Sequence, residues 1–227
     1  MRVMVLGGYG NFGARISRAL AADPSIDLLV AGRAENKASA FATALNCHAL
    51  GVAVDWQGPH LVRALQAHGV QLLIHTAGPF QGQDYTVAQA CAQAGAHYID
   101  LADGRRFVCD FAAALQAPFA AANRVAITGA STVPALSSAV VDSLCHGWQR
   151  IHTIDICIAP AQTAPRGVAT LEAVLSYCGL PVQLWRSGRW QAATGWGGLQ
   201  RVQFQRLRPR LGAVCAVSYT HLRAHET

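Results

Sequence analysis

The chain has 227 residues, of which 52% are hydrophobic and 13% charged, with a formal net charge of +6. This length is enough for one large domain or two small ones with a real core. The composition argues against several classes of protein, because the sequence holds neither a run of eighteen apolar residues nor a basic run interleaved with aromatic residues. The apolar run at the N-terminus is too short for a signal peptide. We therefore expect a cytoplasmic protein that binds neither a membrane nor a nucleic acid.

Cysteine and histidine give no sign of a disulfide framework or a metal site. The seven cysteines are scattered and include no C-x-x-C pair. An odd, scattered set is typical of reduced thiols. His221 and His225 have the spacing of a helical metal pair, but no third ligand stands near them. We expect no metal.

The first thirteen residues organise the chain, because a short apolar strand pattern runs into glycines and a helical pattern follows at once. The turn has the G-x-G-x-x-G spacing of a dinucleotide-binding loop and consists of Gly8, Tyr9, Gly10, Asn11, Phe12 and Gly13. In such a loop the glycines permit a tight turn, close approach of a pyrophosphate and close packing of the helix on its strand. The N-terminus of the helix then holds the phosphates.

The second predicted strand, residues 27–32, indicates which dinucleotide binds. NAD-binding units place a carboxylate about 20 residues after the glycines, where it accepts hydrogen bonds from the adenosine ribose. This chain has Gly32 followed by Arg33 there. A guanidinium can bind a 2′-phosphate with its planar fork, so we expect NADP rather than NAD. The alternative is a solvated Arg33, with Glu35 reaching the ribose instead.

The next two strand ends add candidates at the same edge of the sheet. Asp55 ends a predicted strand over 51–55, where it either flanks the adenine or caps a helix starting near Gly58. A fully apolar strand over 70–76 leads into the loop 77–80, which we expect beside the glycine turn. His75 lies inside that apolar run and is interpreted as a core histidine rather than a catalytic one.

A fifth strand over 97–101 supplies the acid–base candidates. Tyr98, Asp100 and Asp103 lie at or just beyond its carboxyl end, and we single out Tyr98 and Asp103 for proton transfer. The alternative gives the carboxylates capping roles and ion pairs with Arg105 or Arg106. A helix over 107–116, which Pro118 breaks or restarts, a strand over 125–129 and a helix over 135–145 complete the pattern.

Six alternations of strand and helix predict an α/β fold with a Rossmann-type doubly wound parallel sheet. The pattern changes after Gly147, with a predicted strand over 151–159, a helix over 168–178 and tryptophan-bearing hairpins over 181–204. We therefore divide the chain into a cofactor domain (1–147), part of a second, smaller α/β domain (148–216) and a foreign tail (217–227).

Five motifs together resemble the saccharopine dehydrogenase-like NADP-binding family, and the resemblance covers about residues 1–215. These motifs are Gly7–Gly13, Ala31–Arg33, Thr76–Phe80, His97–Leu101 and Gly129–Pro134. The resemblance implies a Rossmann domain followed by a domain that contacts the substrate and a second copy in a homodimer. It assigns phosphate binding to Gly8, Gly10, Asn11, Phe12 and Gly13, the 2′-phosphate to Arg33, and the nicotinamide side to Gly78, Pro79 and Ala102.

Two departures from the family pattern bear on the substrate. Residues 129–134 replace an acidic turn of the glutamate-forming members, and Phe80 replaces a tyrosine. We therefore do not expect saccharopine itself. Family members continue beyond this length, so we expect a C-terminally truncated chain. The sequence leaves two hypotheses open. One is an NADP-dependent oxidoreductase acting on a small polar imine/amine or carbonyl/alcohol substrate, and the other is a non-catalytic NADP(H)-binding sensor or scaffold.

Overall fold

A parallel sheet of six strands forms the centre of the computed structural model, which describes residues 1–161, 163 and 167–215. The strands are β1 (Arg2–Leu6), β2 (Asp27–Gly32), β3 (Leu50–Ala53), β4 (Leu72–His75), β5 (His97–Asp100) and β6 (Ala126–Ile127). Their order across the sheet is β3-β2-β1-β4-β5-β6. This is the order of a Rossmann fold, so the predicted doubly wound sheet is confirmed.

Helices cover both faces of this sheet. They are α1 (Gly13–Leu20), α2 (Glu35–Ala44), α3 (Leu61–Ala67), α4 (Thr86–Ala94) and α5 (Arg105–Ala121). A further helix, α6 (Ser137–Leu144), follows β6 and buries none of its residues. Val3 and Val5 of β1 belong to the apolar layer under α1 and α2, whereas Met4 and Leu6 belong to the layer under α3, α4 and α5. Because successive side chains of a strand point to opposite faces, one continuous apolar run serves both layers.

The chain reverses its direction of winding between β1 and β4. Leu6, the last residue of β1, lies opposite Ala31 of β2 on one side and His75 of β4 on the other. Loops that follow these strands therefore meet at one edge of the sheet. In open α/β sheets, ligands bind in the crevice at this point.

One predicted helix and one predicted strand differ from the structure. α5 continues through Pro118, so the predicted break there is wrong. A proline removes one backbone hydrogen bond from a helix, but Phe111, Leu115 and Phe119 bury their side chains in the core on either side of it. The sixth strand has two residues instead of the predicted five, and an irregular turn, Thr132–Leu136, precedes α6.

The chain after α6 contains one helix and two small antiparallel sheets. They are α7 (Val168–Leu175), the hairpin of β7 (Pro181–Arg186) with β8 (Arg189–Thr194), and the pair of β9 (Gln200–Val202) with β10 (Arg210–Gly212). Trp185 and Trp190 face each other across the first hairpin with ring centroids 5.0 Å apart. The predicted helix and hairpins are therefore confirmed.

The predicted strand over 151–159 is wrong, because residues 151–161 adopt neither helix nor strand. Among the described residues no strand pairs with this segment, and its isoleucines are exposed to solvent. The predicted tail, 217–227, lies outside the described residues, and the proposed domain boundaries stay predictions. Within the part of the chain that the structure describes, no helix combines the length and apolar character needed to cross a bilayer.

Candidate cofactor site

The glycine turn closes against the neighbouring strand through its own backbone. The N–H groups of Gly7 and Gly8 both donate to the carbonyl oxygen of Ala31, at 2.8 and 3.1 Å. The N–H of Gly10 donates back to the carbonyl oxygen of Gly7 at 2.8 Å. These bonds fold the chain tightly between the end of β1 and the start of α1.

The three glycines of the motif lie where a side chain would meet backbone. A Cβ atom on Gly8 would lie 2.8 Å from the carbonyl oxygen of Val5, and one on Gly10 would lie 3.0 Å from that of Gly7. A Cβ on Gly13 would overlap the same Gly7 oxygen. A side chain therefore does not fit at these three positions, as expected for a dinucleotide-binding loop whose glycines allow a tight turn and close packing of the helix on its strand.

The N-terminus of α1 opens toward this turn. Phe12 is the N-cap residue, its ring is exposed, and no side chain caps the helix. The first N–H groups of any α-helix lack intrahelical acceptors and carry the positive end of the helix dipole. The amides around Asn11, Phe12 and Gly13 can therefore bind an anion.

The end of β2 lies beside the turn, and Tyr9 bridges the two. The ring of Tyr9 covers Gly32, and its hydroxyl accepts a hydrogen bond of 3.2 Å from the N–H of Ala34. Arg33 is exposed and forms no ion pair with any described residue. Glu35 is also exposed, at the start of α2. The exposed guanidinium of Arg33 can therefore bind an anion at this edge of the sheet.

Asp55 was predicted to cap a helix or to flank the adenine, and its carboxylate forms a hydrogen bond within its own loop. Its carboxylate accepts a hydrogen bond of 3.1 Å from the N–H of Gln57. α3 starts only at Leu61, with His60 as its N-cap. The helix-capping interpretation of Asp55 is therefore wrong, because the chain turns once more before the helix begins. Contact with the adenine stays a prediction.

The loop after β4 lies against the glycine turn, as the crossover rule predicts. The hydroxyl of Thr76 donates to the carbonyl oxygen of Leu6 at 2.8 Å. The side-chain amide of Gln83 donates to the carbonyl oxygens of Ala77 and Pro79, both at 2.8 Å. These bonds brace the loop that carries Gly78 and Pro79, the residues assigned to the nicotinamide side.

Asp100 joins the loops that follow β5 and β6. Its Oδ1 atom accepts hydrogen bonds from the N–H of Ala102 at 2.9 Å, the hydroxyl of Thr128 at 2.9 Å and the N–H of Gly129 at 2.8 Å. The side chain is fully buried. Burial raises the pKa of Asp100, although these three hydrogen bonds act in the opposite direction. Ala102, also fully buried, is therefore positioned through its backbone.

Tyr98, one of the two acid–base candidates, lies inside the core with a relative exposure of 1%. Its hydroxyl forms a hydrogen bond of 3.1 Å with Nδ1 of His75. Burial, with the nearby charge of Asp100, raises the pKa of Tyr98 well above its ordinary value. Burial lowers the pKa of His75 to about 4, so this residue is a neutral core histidine, as interpreted from its apolar run.

Asp103, the second acid–base candidate, is only partly buried and lies in the loop between β5 and α5. Its carboxylate accepts a hydrogen bond of 3.0 Å from Gln81, and burial raises the pKa of Asp103 above its ordinary value. Arg106 pairs instead with Asp110 at 3.7 Å. The N-cap of α5 is Gly104, so Asp103 does not cap that helix. A carboxyl group with a raised pKa is a suitable proton donor.

Some residues near the site were missed by sequence reasoning. Burial raises the pKa of Tyr177, and the neighbouring backbone of Arg105 and side chain of Gln81 act in the opposite direction. Neutral glutamines carry no motif, and Tyr177 is more than seventy positions away in the chain from Asp103. Asp100 is named from its position at a strand end, but nothing in the sequence indicates that it links two loops. Among the predicted site residues, Asp55 is separated from Tyr98 and Asp103, because β3 is an edge strand and three strands lie between it and β5.

No group of three potential metal ligands occurs among the described side chains.

Comparisons with known proteins agree with the geometry of the turn and the sheet. The chain is 28% identical over 177 residues to carboxyaminopropylagmatine dehydrogenase of Synechocystis sp., a match that covers 74% of this chain and 44% of that protein. Its fold is similar to that of saccharopine dehydrogenase (L-Glu forming) from Saccharomyces cerevisiae, with a TM-score of 0.66 and 13% identity.

The structural match covers 90% of this chain and 47% of the yeast protein, so the chain spans less than half the length of both relatives. Residues 3–127 match the family described as the saccharopine dehydrogenase NADP binding domain. That range holds the glycine turn and β1 to β6. The chain therefore belongs to the saccharopine dehydrogenase family through its NADP-binding domain.

Proposed function

We propose that the chain is the cofactor-binding part of an NADP-dependent oxidoreductase. It transfers hydride to or from a small polar substrate, an imine/amine or a carbonyl/alcohol pair. The observation that carries this proposal is the tight turn in which Gly8, Gly10 and Gly13 leave no room for a Cβ atom, set against the N-terminus of α1 at the switch point of the sheet. Family membership and the names of both relatives as dehydrogenases support it.

The preference for NADP is supported by the end of β2. Gly32 offers no carboxylate to the adenosine ribose, and the exposed Arg33 follows it directly. A carboxylate there would repel a 2′-phosphate, whereas a guanidinium attracts it and bonds it in a planar fork. We therefore expect Arg33→Ala to weaken NADPH binding and to leave NADH binding nearly unchanged.

The protein's own chemical task is positioning and proton transfer, because the nicotinamide supplies or accepts the hydride when it is bound. Between the two candidates, Asp103 is the better proton donor, since it is only partly buried and its pKa is raised. Tyr98 is buried in the core, where its hydroxyl forms a hydrogen bond with His75. Both assignments stay predictions.

The test of cofactor binding is a fluorescence titration of the 227-residue chain with NADPH, using two matched glycine variants. Gly13→Ala places a methyl group onto the Gly7 carbonyl and should weaken binding by at least about 100-fold. Gly82→Ala places the same group in open space and should leave it unchanged. Circular dichroism checks that both variants fold. Equal binding by the two variants would refute the proposed site.

Catalysis is tested separately, by following NADPH oxidation with a panel of keto and imino acids. Because the chain is shorter than its relatives, the assay includes a full-length relative. Turnover that falls with Asp103→Asn supports the enzyme. Tight NADPH binding without turnover in either protein favours the sensor or scaffold. The burial of Tyr98, one of the two acid–base candidates, supports that hypothesis.

A further inference from the structure

Tyr9 occupies a position that the glycine motif leaves open to any residue, yet it makes specific contacts. Its ring lies directly over Gly32 at the end of β2. Its hydroxyl accepts the N–H of Ala34 at 3.2 Å. The two contacts lie on either side of Arg33, so Tyr9 holds the short segment that carries the arginine.

The ring has a consequence for position 32. A Cβ atom added to Gly32 would lie 2.5 Å from Cε1 of Tyr9 and 2.7 Å from its hydroxyl oxygen. Distances below 3.0 Å are not tolerated without movement of the ring. NAD-binding units place their ribose-binding carboxylate at this strand end. With Tyr9 in place, no aspartate or glutamate can be accommodated at position 32 without displacing it.

The hydroxyl has a second consequence. Accepting the N–H of Ala34 uses a lone pair of the oxygen, so the hydroxyl proton stays available for donation. The neighbouring Arg33 is exposed and has no ion pair among the described residues. A hydroxyl donor and a guanidinium therefore stand within one short segment, beside a strand end that bears no negative charge. This combination suits a phosphate monoester.

We propose that Tyr9 determines cofactor specificity, by donating its hydroxyl to the 2′-phosphate of NADP and by excluding a carboxylate from position 32. The inference rests on the proposed function and adds to it the residue that accompanies Arg33. Tyr9 acts at the adenosine end of the cofactor. Its effect must therefore persist with ligands that lack the nicotinamide.

The experiment measures dissociation constants of NADPH, NADH, 2′,5′-ADP and 5′-AMP on the full chain and four variants. Tyr9→Phe keeps the ring and removes the hydroxyl. It should weaken NADPH and 2′,5′-ADP by about tenfold or more, the effect of losing a hydrogen bond to a charged group. NADH and 5′-AMP should change less than about twofold. A purely structural role would weaken all four ligands alike.

The exclusion is tested by Gly32→Asp, Tyr9→Ala and their combination. Gly32→Asp alone should weaken both cofactors, because the new side chain displaces the Tyr9 ring. The double variant removes the overlap and should bind NADH at least about tenfold more tightly than Gly32→Asp does, a coupling that only interacting residues show. Tyr9→Ala alone should lower the NADPH preference without improving NADH binding.

Failures of the two proposals are distinguishable. If the unmutated chain binds neither dinucleotide, or binds both equally, the proposed NADP function is overturned. If it prefers NADPH and Tyr9→Phe keeps the same preference, only the role of the Tyr9 hydroxyl is overturned. If Gly32→Asp binds NADH as tightly as the double variant does, Tyr9 does not exclude a carboxylate.

Discussion

Two regions of this chain, each built from elements with apolar residues, differ in how they bury them. The sheet region, residues 2–127, places an apolar layer under helices on each face of the sheet. The hairpin region, residues 168–212, has Ala173 and Val182 as its buried apolar residues among the described side chains. Between the two regions, four isoleucines at positions 151, 154, 156 and 158 are exposed.

The difference shows what crossover connections achieve. A parallel strand needs a crossover helix to reach the next strand, so each connection covers a face of the sheet. A two-stranded hairpin pairs its backbone locally but has nothing to cover its faces. The glycine turn and the loops after β4, β5 and β6 are therefore mounted on the better-packed part of the molecule. Four predictions test this contrast.

The largest expected effect is on core leucines. Leu73 in β4 has a relative exposure of 0%, whereas Leu175 in α7 is 58% exposed. Leu73→Ala should lower the free energy of unfolding by about 2–5 kcal/mol, because it leaves a cavity in the core. Leu175→Ala should change it by less than about 1 kcal/mol. Urea denaturation measures both, and equal losses would show that the hairpin region shares the same core.

The second prediction concerns pH. His75 has a pKa of about 4 when folded and 6.5 when exposed, so the unfolded chain binds more protons between these values. The stability provided by neutral His75 is present above pH 6.5 and falls by roughly 3 kcal/mol as the pH drops to 4. Asp100 contributes the opposite slope, since its folded pKa is raised and its contribution is lost as the pH rises above 3.8.

The difference between the unmutated chain and a variant isolates the histidine. His75→Gln should remove this part of the acid slope, measured by denaturation at several pH values. His48→Gln changes an exposed histidine of α2's C-terminal loop and should leave the slope unchanged. An unaltered slope in His75→Gln would mean that acid sensitivity of the sheet region comes from other groups.

The third prediction concerns the link between the loops after β5 and β6. Asp100→Ala removes the acceptor for Ala102, Thr128 and Gly129 and should cost about 2–4 kcal/mol of unfolding free energy. Asp100→Asn keeps an oxygen acceptor and should cost roughly 1 kcal/mol, because the amide lacks the charge that burial penalises. If the amide proves as costly as alanine, charge rather than geometry holds these loops.

The smallest effect is expected where the two regions touch. The guanidinium of Arg105 lies 4.6 Å from the ring centroid of Trp190 and donates to the carbonyl oxygen of Gln183 at 2.6 Å. Arg105→Gln should speed hydrogen exchange of the β7 and β8 amides roughly fivefold, the equivalent of about 1 kcal/mol of local stability.

Arg106→Gln is the matched control, since Arg106 makes an exposed pair with Asp110 within α5. Such pairs contribute little, so exchange in the hairpin should not change. Faster exchange in both variants would mean that helix α5, rather than the Arg105 contact, stabilises the hairpin.

Periodicity predicted much of the sheet region, because each strand and helix there is long enough to show its own pattern. The strand β2 lies where the sequence places it, and β4 lies within its predicted range. The prediction failed where the outcome depends on neighbours. Pro118 is tolerated because the aromatic residues around it are buried. Residues 151–159 form no strand because no strand of the described part of the chain lies beside them.

The sequence by itself determined the class of fold and the glycine turn, because both depend on residues close together in the chain. The spacing of Gly8, Gly10 and Gly13 already specifies a tight turn at a helix N-terminus. Only the tertiary structure decided what lies across it. Tyr9 meets Gly32 because β1 and β2 pair in one register, and Asp100 reaches Gly129 because β5 and β6 are neighbours. Such contacts join residues more than twenty positions apart, and local patterns carry no information about the register that brings them together.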